Sequence, residues 1–202
     1  METYSYLALG DSYTVGESLP SHLSFPAQLV DELANYQKRI CTKLKIIAKT
    51  GWTTNELQKG ILRAKPTSDY DLVSLLIGVN NQYRSYPKEQ YQTEFQILLK
   101  QAIGFAGGKR EHVFVVAIPD YGCTPFGSEL ADRIFKELNW YNSEAEEQCK
   151  MAQIPFVDIF PISRQALTET DLLAEDKLHP SGKMYALWVK EIAPIAVKIL
   201  SS

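Results

Sequence analysis

Apolar runs of strand length punctuate the chain: "YSYLAL" near the start, "LKIIA" at 44–48, "DLVSLLI" at 71–77, "HVFVVAI" at 112–118 and "IPFVDIF" at 154–160. They are continuously apolar rather than alternating, which predicts strands covered on both faces. Helical spacing fills the gaps. "FPAQLVDELANYQ" carries Leu29, Val30 and Leu33 behind Phe25 and Pro26. "TTNELQKGILRA" offers Thr53 or Thr54 as N-cap, with Glu56 at capping-box distance from Thr53. Pro87 predicts the first residue of a helix that stops at Gly107-Gly108. "SELADRIFKELNWYNSEAEEQCKMA" stripes Ile134, Leu138 and Tyr141, and a last helix starts near Ser181 with a bend expected at Pro194.

Strand and helix therefore alternate, the pattern of a parallel sheet between two helix layers. In such open sheets ligands bind outside the carboxyl ends of the strands. The residues following the apolar runs bear this out as a chemical pattern. They are Gly10-Asp11-Ser12, then "KTGWTTN" with Gly51, "GVNNQY" with Gly78, Asn80 and Asn81, "PDYGCTPFG", and finally "AEDKLHPSGK" with Asp176, His179 and Pro180.

Composition narrows the partners. With 202 residues and no repeat or long linker, residues 1–202 read as one domain. A formal net charge of −3 disfavours nucleic acid as a partner. No apolar run reaches the roughly 18 residues that span a bilayer, so no membrane insertion is expected. Cys41, Cys123 and Cys149 are far apart, lack a CxxC pair and read as free thiols. With no basic and apolar leader at the start, they point to a cytoplasmic location. Oligomeric state leaves no trace in the sequence.

Serine is a weak nucleophile at neutral pH and needs a base. His179 is the only histidine on the predicted rim; His22 falls in a loop and His112 opens a strand. Asp176, three residues before His179, suits the carboxylate that orients an imidazole, although spacing alone leaves Glu175 open and Asp171 lies nearby. The N–H groups of Ser12 and Gly51 and the side-chain amide of Asn80 are candidate donors for an oxyanion. Each residue also has a plainer reading: Ser12 as a helix cap, Gly51 as a strand end, Asn80 as an Asx-turn.

Together these blocks resemble the SGNH hydrolases, also called GDSL esterases/lipases. Gly10-Asp11-Ser12-Tyr13, Gly51, Gly78-Val79-Asn80-Asn81 and Asp176-Lys177-Leu178-His179-Pro180 follow that family's four blocks in order. The resemblance selects Asp176 over its neighbours. It implies a flavodoxin-like three-layer α/β/α sandwich around a five-stranded parallel sheet, a Ser12-His179-Asp176 triad, and an oxyanion hole of Ser12, Gly51 and Asn80. It also implies no metal and no organic cofactor, and a small-molecule ester as substrate. Tyr13 stands where a leucine is frequent and Asn81 where an aspartate is common. These two, with Trp52 and Tyr121, are the expected pocket residues; Tyr83, Tyr86 and Phe126 are further aromatics on the same loops. The moderate loops and absence of a lid-like insertion favour short acyl groups, with a thioesterase or lysophospholipase as alternatives within the family. Outside it, "GDSYTVGES" would serve as the phosphate cradle of a flavodoxin-like phosphate- or flavin-binding module. A G-x-S-x-G elbow is missing, because Thr14 holds its last position.

Overall fold

In a computed structural model, which describes residues 2–201, the five apolar runs become β1 (Glu2–Gly10), β2 (Arg39–Ala48), β3 (Leu72–Leu76), β4 (Val113–Val116) and β5 (Phe156–Val157). All pair in parallel, in the order β2-β1-β3-β4-β5. The helices are α1 (Ser12–Val15), α2 (Phe25–Gln37), α3 (Thr54–Ala64), α4 (Val79–Tyr83), α5 (Lys88–Phe105), α6 (Ala131–Ala152), α7 (Phe160–Ser163) and α8 (Gly182–Leu200). α2 packs on α8, and α5 on both α3 and α6, so helices cover both faces of the sheet in a three-layer sandwich.

Burial follows position in the sheet. β3, flanked by strands on both sides, is buried along its whole length. β1 is buried from Tyr6 to Gly10. β2 departs from the expected double coverage. It is an edge strand, and Ile40, Leu44 and Ile46 are 37–41% exposed. Lys43 and Lys45 alternate with them, the usual guard against edge-to-edge pairing. β5 shrinks to two residues because the Asp158 carboxylate takes the Phe160 N–H at 3.0 Å, turning the chain into α7.

Helix ends follow local chemistry. Thr53 is the N-cap of α3, its N–H donating to Glu56 Oε2 at 2.9 Å. Pro87 is the N-cap of α5 rather than its first residue, and Gly107 and Gly108 follow that helix with φ of 66° and 84°. α8 runs through Pro194 to Leu200 without a break, because Pro194 and Lys190, whose carbonyl loses its partner, both lie on the exposed side. All three cysteines are free, Cys41 half-buried and the other two buried. Among the described residues, no helix is long and apolar enough to cross a membrane.

An aromatic cluster joins α2, α8 and the segment after β1. Trp188 is fully buried and meets the Tyr185 ring edge-on at 4.9 Å between centroids, with Phe25 and Tyr13 each at 6.4 Å. The Tyr185 hydroxyl donates to the Tyr13 carbonyl at 2.9 Å. Trp188→Ala should cost about 3–5 kcal/mol of unfolding free energy, read from urea denaturation, because the cavity falls between two helices and a turn that cannot collapse independently. A loss below about 1 kcal/mol would show that this cluster does not hold α8 to the rest of the fold.

Candidate active site

Gly10 ends β1 in register with Ala48 of β2 on one side and Leu76 of β3 on the other. The chain then reverses at once into α1. That reversal demands glycine: a Cβ on Gly10 would lie 2.1 Å from Thr14 Oγ1 and 2.5 Å from the Leu76 carbonyl oxygen. Asp11 caps the turn, its Oδ1 accepting the Tyr13 N–H at 3.1 Å, and Ser12 is the first helical residue. Among the described residues, the Ser12 hydroxyl holds no hydrogen bond. Neither do the N–H groups of Ser12 and Gly51.

Gly51 sits in the turn after β2 with φ of 83°, a conformation that suits glycine. Asn80 lies in the first turn of α4 and donates through Nδ2 to the Trp52 carbonyl at 3.0 Å, leaving its second amide proton free. Two more ties join the same segments. Arg84 donates to the Gly51 carbonyl at 2.6 Å while pairing with Glu56 at 3.1 Å, and Asn81 exchanges hydrogen bonds with the Thr54 backbone and hydroxyl at 3.0 and 2.7 Å. The donors after β2 and β3 are thus held as one unit.

His179 comes from the loop before α8. Its Nδ1 lies 2.6 Å from Asp176 Oδ2, and its other ring nitrogen has no protein partner among the described residues. Asp176 Oδ1 also accepts the N–H groups of Leu178 and His179 at 3.0 and 2.9 Å, and Oδ2 accepts the Ser18 hydroxyl at 2.7 Å. Partial burial pushes the Asp176 carboxyl up, but these hydrogen bonds outweigh it and hold the group well below the usual carboxylate range. The Tyr13 ring is 5.7 Å from the imidazole.

Ser12, Gly51, Asn80 and His179 open onto one cleft of ≈200 Å³. Its remaining wall is apolar: Tyr13, Val79, Tyr83, Tyr121, Phe126 and Leu178, with Thr50 at the side. Of the four residues expected to shape the pocket, Tyr13 and Tyr121 line it and two do not. Trp52 lays its ring on α3, against Gly60, where an added Cβ would come within 2.2 Å of the indole; only its carbonyl serves the site. Asn81 is fully buried and spent on Thr54. No motif in the sequence marks Ser18 or Arg84 as part of this site. Among the described residues, Glu175 and Asp171 make no hydrogen bond to the imidazole, and His22 and His112 lie outside the cleft.

The GDSL-like Lipase/Acylhydrolase family model matches residues 8–187, and the chain belongs to that family. No curated relative matches by sequence. The fold is similar to that of a variant of Axe2, an acetyl xylan esterase from Geobacillus stearothermophilus, with a TM-score of 0.73 and 17% identity over 96% of this chain and 94% of that one. It is equally similar, at 0.73 and 16% identity, to LAE5, an alpha/beta hydrolase enzyme from the metagenome of Lake Arreo, Spain, over 100% and 99% of the two chains. Psychrotrophic esterase EstA from Pseudoalteromonas sp. follows with a TM-score of 0.67 and 18% identity over 98% and 100%.

Asp11 contrasts with Asp176. It is completely buried, its Oδ2 has no partner among the described residues, and desolvation raises its carboxyl from 3.8 to about 7 despite the Tyr13 N–H. The unfolded chain releases this proton near pH 4 while the folded one keeps it to near pH 7, so folding loses stability as pH rises between the two. Relative to Asp11→Asn, the wild-type unfolding free energy should fall by about 1.4 kcal/mol per pH unit in that window and level off above it. Urea melts of both proteins from pH 4 to pH 8 measure this; a difference independent of pH would refute it.

Proposed function

We propose that this chain is a serine esterase that hydrolyses carboxylic esters with a short acyl group. The observation that carries the reading is the cleft itself: it is lined by a serine with an unpaired hydroxyl, an imidazole bound to a carboxylate only through Nδ1, and residues with unspent N–H donors that follow three different strands. Membership of a family of lipases and acylhydrolases supports the same chemistry.

In this reading Ser12 Oγ attacks the ester carbonyl as its proton passes to His179 Nε2. The carbonyl electrons move to oxygen, which the N–H groups of Ser12 and Gly51 and the Asn80 amide receive. Asp176, held ionised, keeps the imidazole in the required tautomer and faces the imidazolium that forms. Collapse of the intermediate breaks the bond to the alcohol oxygen, which takes the proton from His179. Water then gives a proton to His179 and attacks the acyl-serine; collapse releases the carboxylic acid and returns the proton to Ser12. None of these steps calls on a metal or an organic cofactor. The cleft is smaller than the ≈300–1,000 Å³ common for drug-sized ligands, which favours a short acyl group. Acetylated sugars are esters of this kind, and Axe2, a protein of similar fold, is described as an acetyl xylan esterase.

The phosphate-cradle alternative loses its support. α1 has four residues, and Thr14 is fully buried against Gly10 rather than open to a ligand.

Ser12→Ala should abolish hydrolysis of p-nitrophenyl acetate and labelling by a fluorophosphonate while leaving the melting temperature within a few degrees of wild type. Hydrolysis at the wild-type rate would end the assignment. Asn80→Ala should lower kcat about 10²–10³-fold and still label at Ser12; an unchanged kcat would remove Asn80 from the oxyanion hole.

A further inference from the structure

Tyr83, Tyr121 and Phe126 pack against one another with ring centroids 6.0–6.3 Å apart. Tyr121 is fixed. It is buried, its hydroxyl donates to Gln82 Oε1 at 2.8 Å, and Gln82 Nε2 donates to Glu137 at 2.7 Å. The other two rings are each 57% exposed. This trio is a partition. One side lines the cleft beside Ser12, and the other lines a second hollow of ≈250 Å³ completed by Leu130 and Ile134 of the following segment.

Leu130 is 56% exposed, so three large apolar side chains in succession stand in water from the mouth of the cleft outward. Single exposed apolar residues are ordinary, whereas a contiguous group beside a nucleophile marks a surface that something apolar covers. Part of the polar lining of the hollow is engaged already. Gln82 is bound at both ends and Arg133 pairs with Glu137 at 2.8 Å, leaving Glu129 and Ser85 in solvent. Tyr83, Phe126 and Leu130 together offer hydrocarbon a track along the side of this hollow.

We propose that the surface running from Tyr83 and Phe126 to Leu130 is a second substrate subsite, which takes an extended alkyl or aryl arm of an ester whose other arm fits the cleft. This rests on the esterase reading above. The same three rings wall both spaces, so a chain leaving the cleft passes along their exposed edges onto this surface. The cleft holds the short acyl group, so the arm is that of the alcohol, and each methylene that leaves water on this track raises kcat/KM by about two- to fourfold.

Two ester series test this: acetates of straight-chain alcohols from ethanol to octanol, and p-nitrophenyl esters from acetate to octanoate. In the acetate series kcat/KM should climb over several consecutive carbons; a climb along the p-nitrophenyl series alone would overturn the alcohol as the source of the arm. Leu130→Ser and Phe126→Ser should each flatten the climb, read as the ratio of longest to shortest ester, with melting temperatures confirming that both variants fold. Ser12-dependent hydrolysis that is flat in both series, or a climb untouched by both substitutions, would overturn the subsite alone. A dimer dispersed by Leu130→Ser with the climb unchanged would assign the surface to a second copy and likewise overturn it. Absence of Ser12-dependent hydrolysis for every ester would overturn the esterase reading and the subsite with it.

Discussion

The site depends on a register. Gly10 pairs with Ala48 on one side and with Leu76 on the other, so three adjacent parallel strands end at one level. Ser12, Gly51 and Asn80 follow those ends by two, three and four residues and reach the same cleft without long loops. The register needs a residue without a side chain at position 10, since Thr14 folds back over it and the Leu76 carbonyl crowds it from the neighbouring strand. A one-residue slip of a strand in a sheet covered on both faces would also turn its side chains to the opposite helix layer. The packing that makes the core therefore fixes the spacing of the chemistry.

Around that level the protein holds two carboxyl groups in opposed environments. Asp11 is sealed under the turn, half-satisfied, and inclined to keep its proton. Asp176 stands at the edge of solvent with four hydrogen bonds and stays ionised. The difference between the two carboxyl groups follows from hydration and hydrogen bonding rather than from residue type. The donor side is braced in a comparable way. Asn80, Asn81 and Arg84 spend side-chain bonds on the segment from Gly51 to Thr54, which limits how far those two loops can drift apart.

The sheet, its order of strands and helices and the rim position of the four blocks were readable because each rests on local pattern: continuous apolar runs, turn residues at their ends, helical spacing between. Where the reading missed, the missing information was not local. Trp52 and Asn81 stand on rim loops, as expected, but which way a loop side chain points is settled by its neighbours: Gly60 leaves a space for the indole, and Thr54 satisfies the amide. The exposure of β2 followed from being last in the sheet, a fact of topology that its apolar content does not carry. The Ser18 bond to Asp176 joins residues 158 positions apart and has no signature in either segment.

The sequence alone determined that Ser12, Gly51, Asn80 and His179 follow strand ends that bring them to one edge, because hydrophobic period and turn chemistry act over a few residues. Only the tertiary structure decided which nitrogen of His179 is free, which carboxyl is ionised, which aromatic rings wall the cleft and where apolar surface stays in water. Those properties arise from distances and dielectric surroundings between segments far apart in the chain, and the folded packing alone sets them.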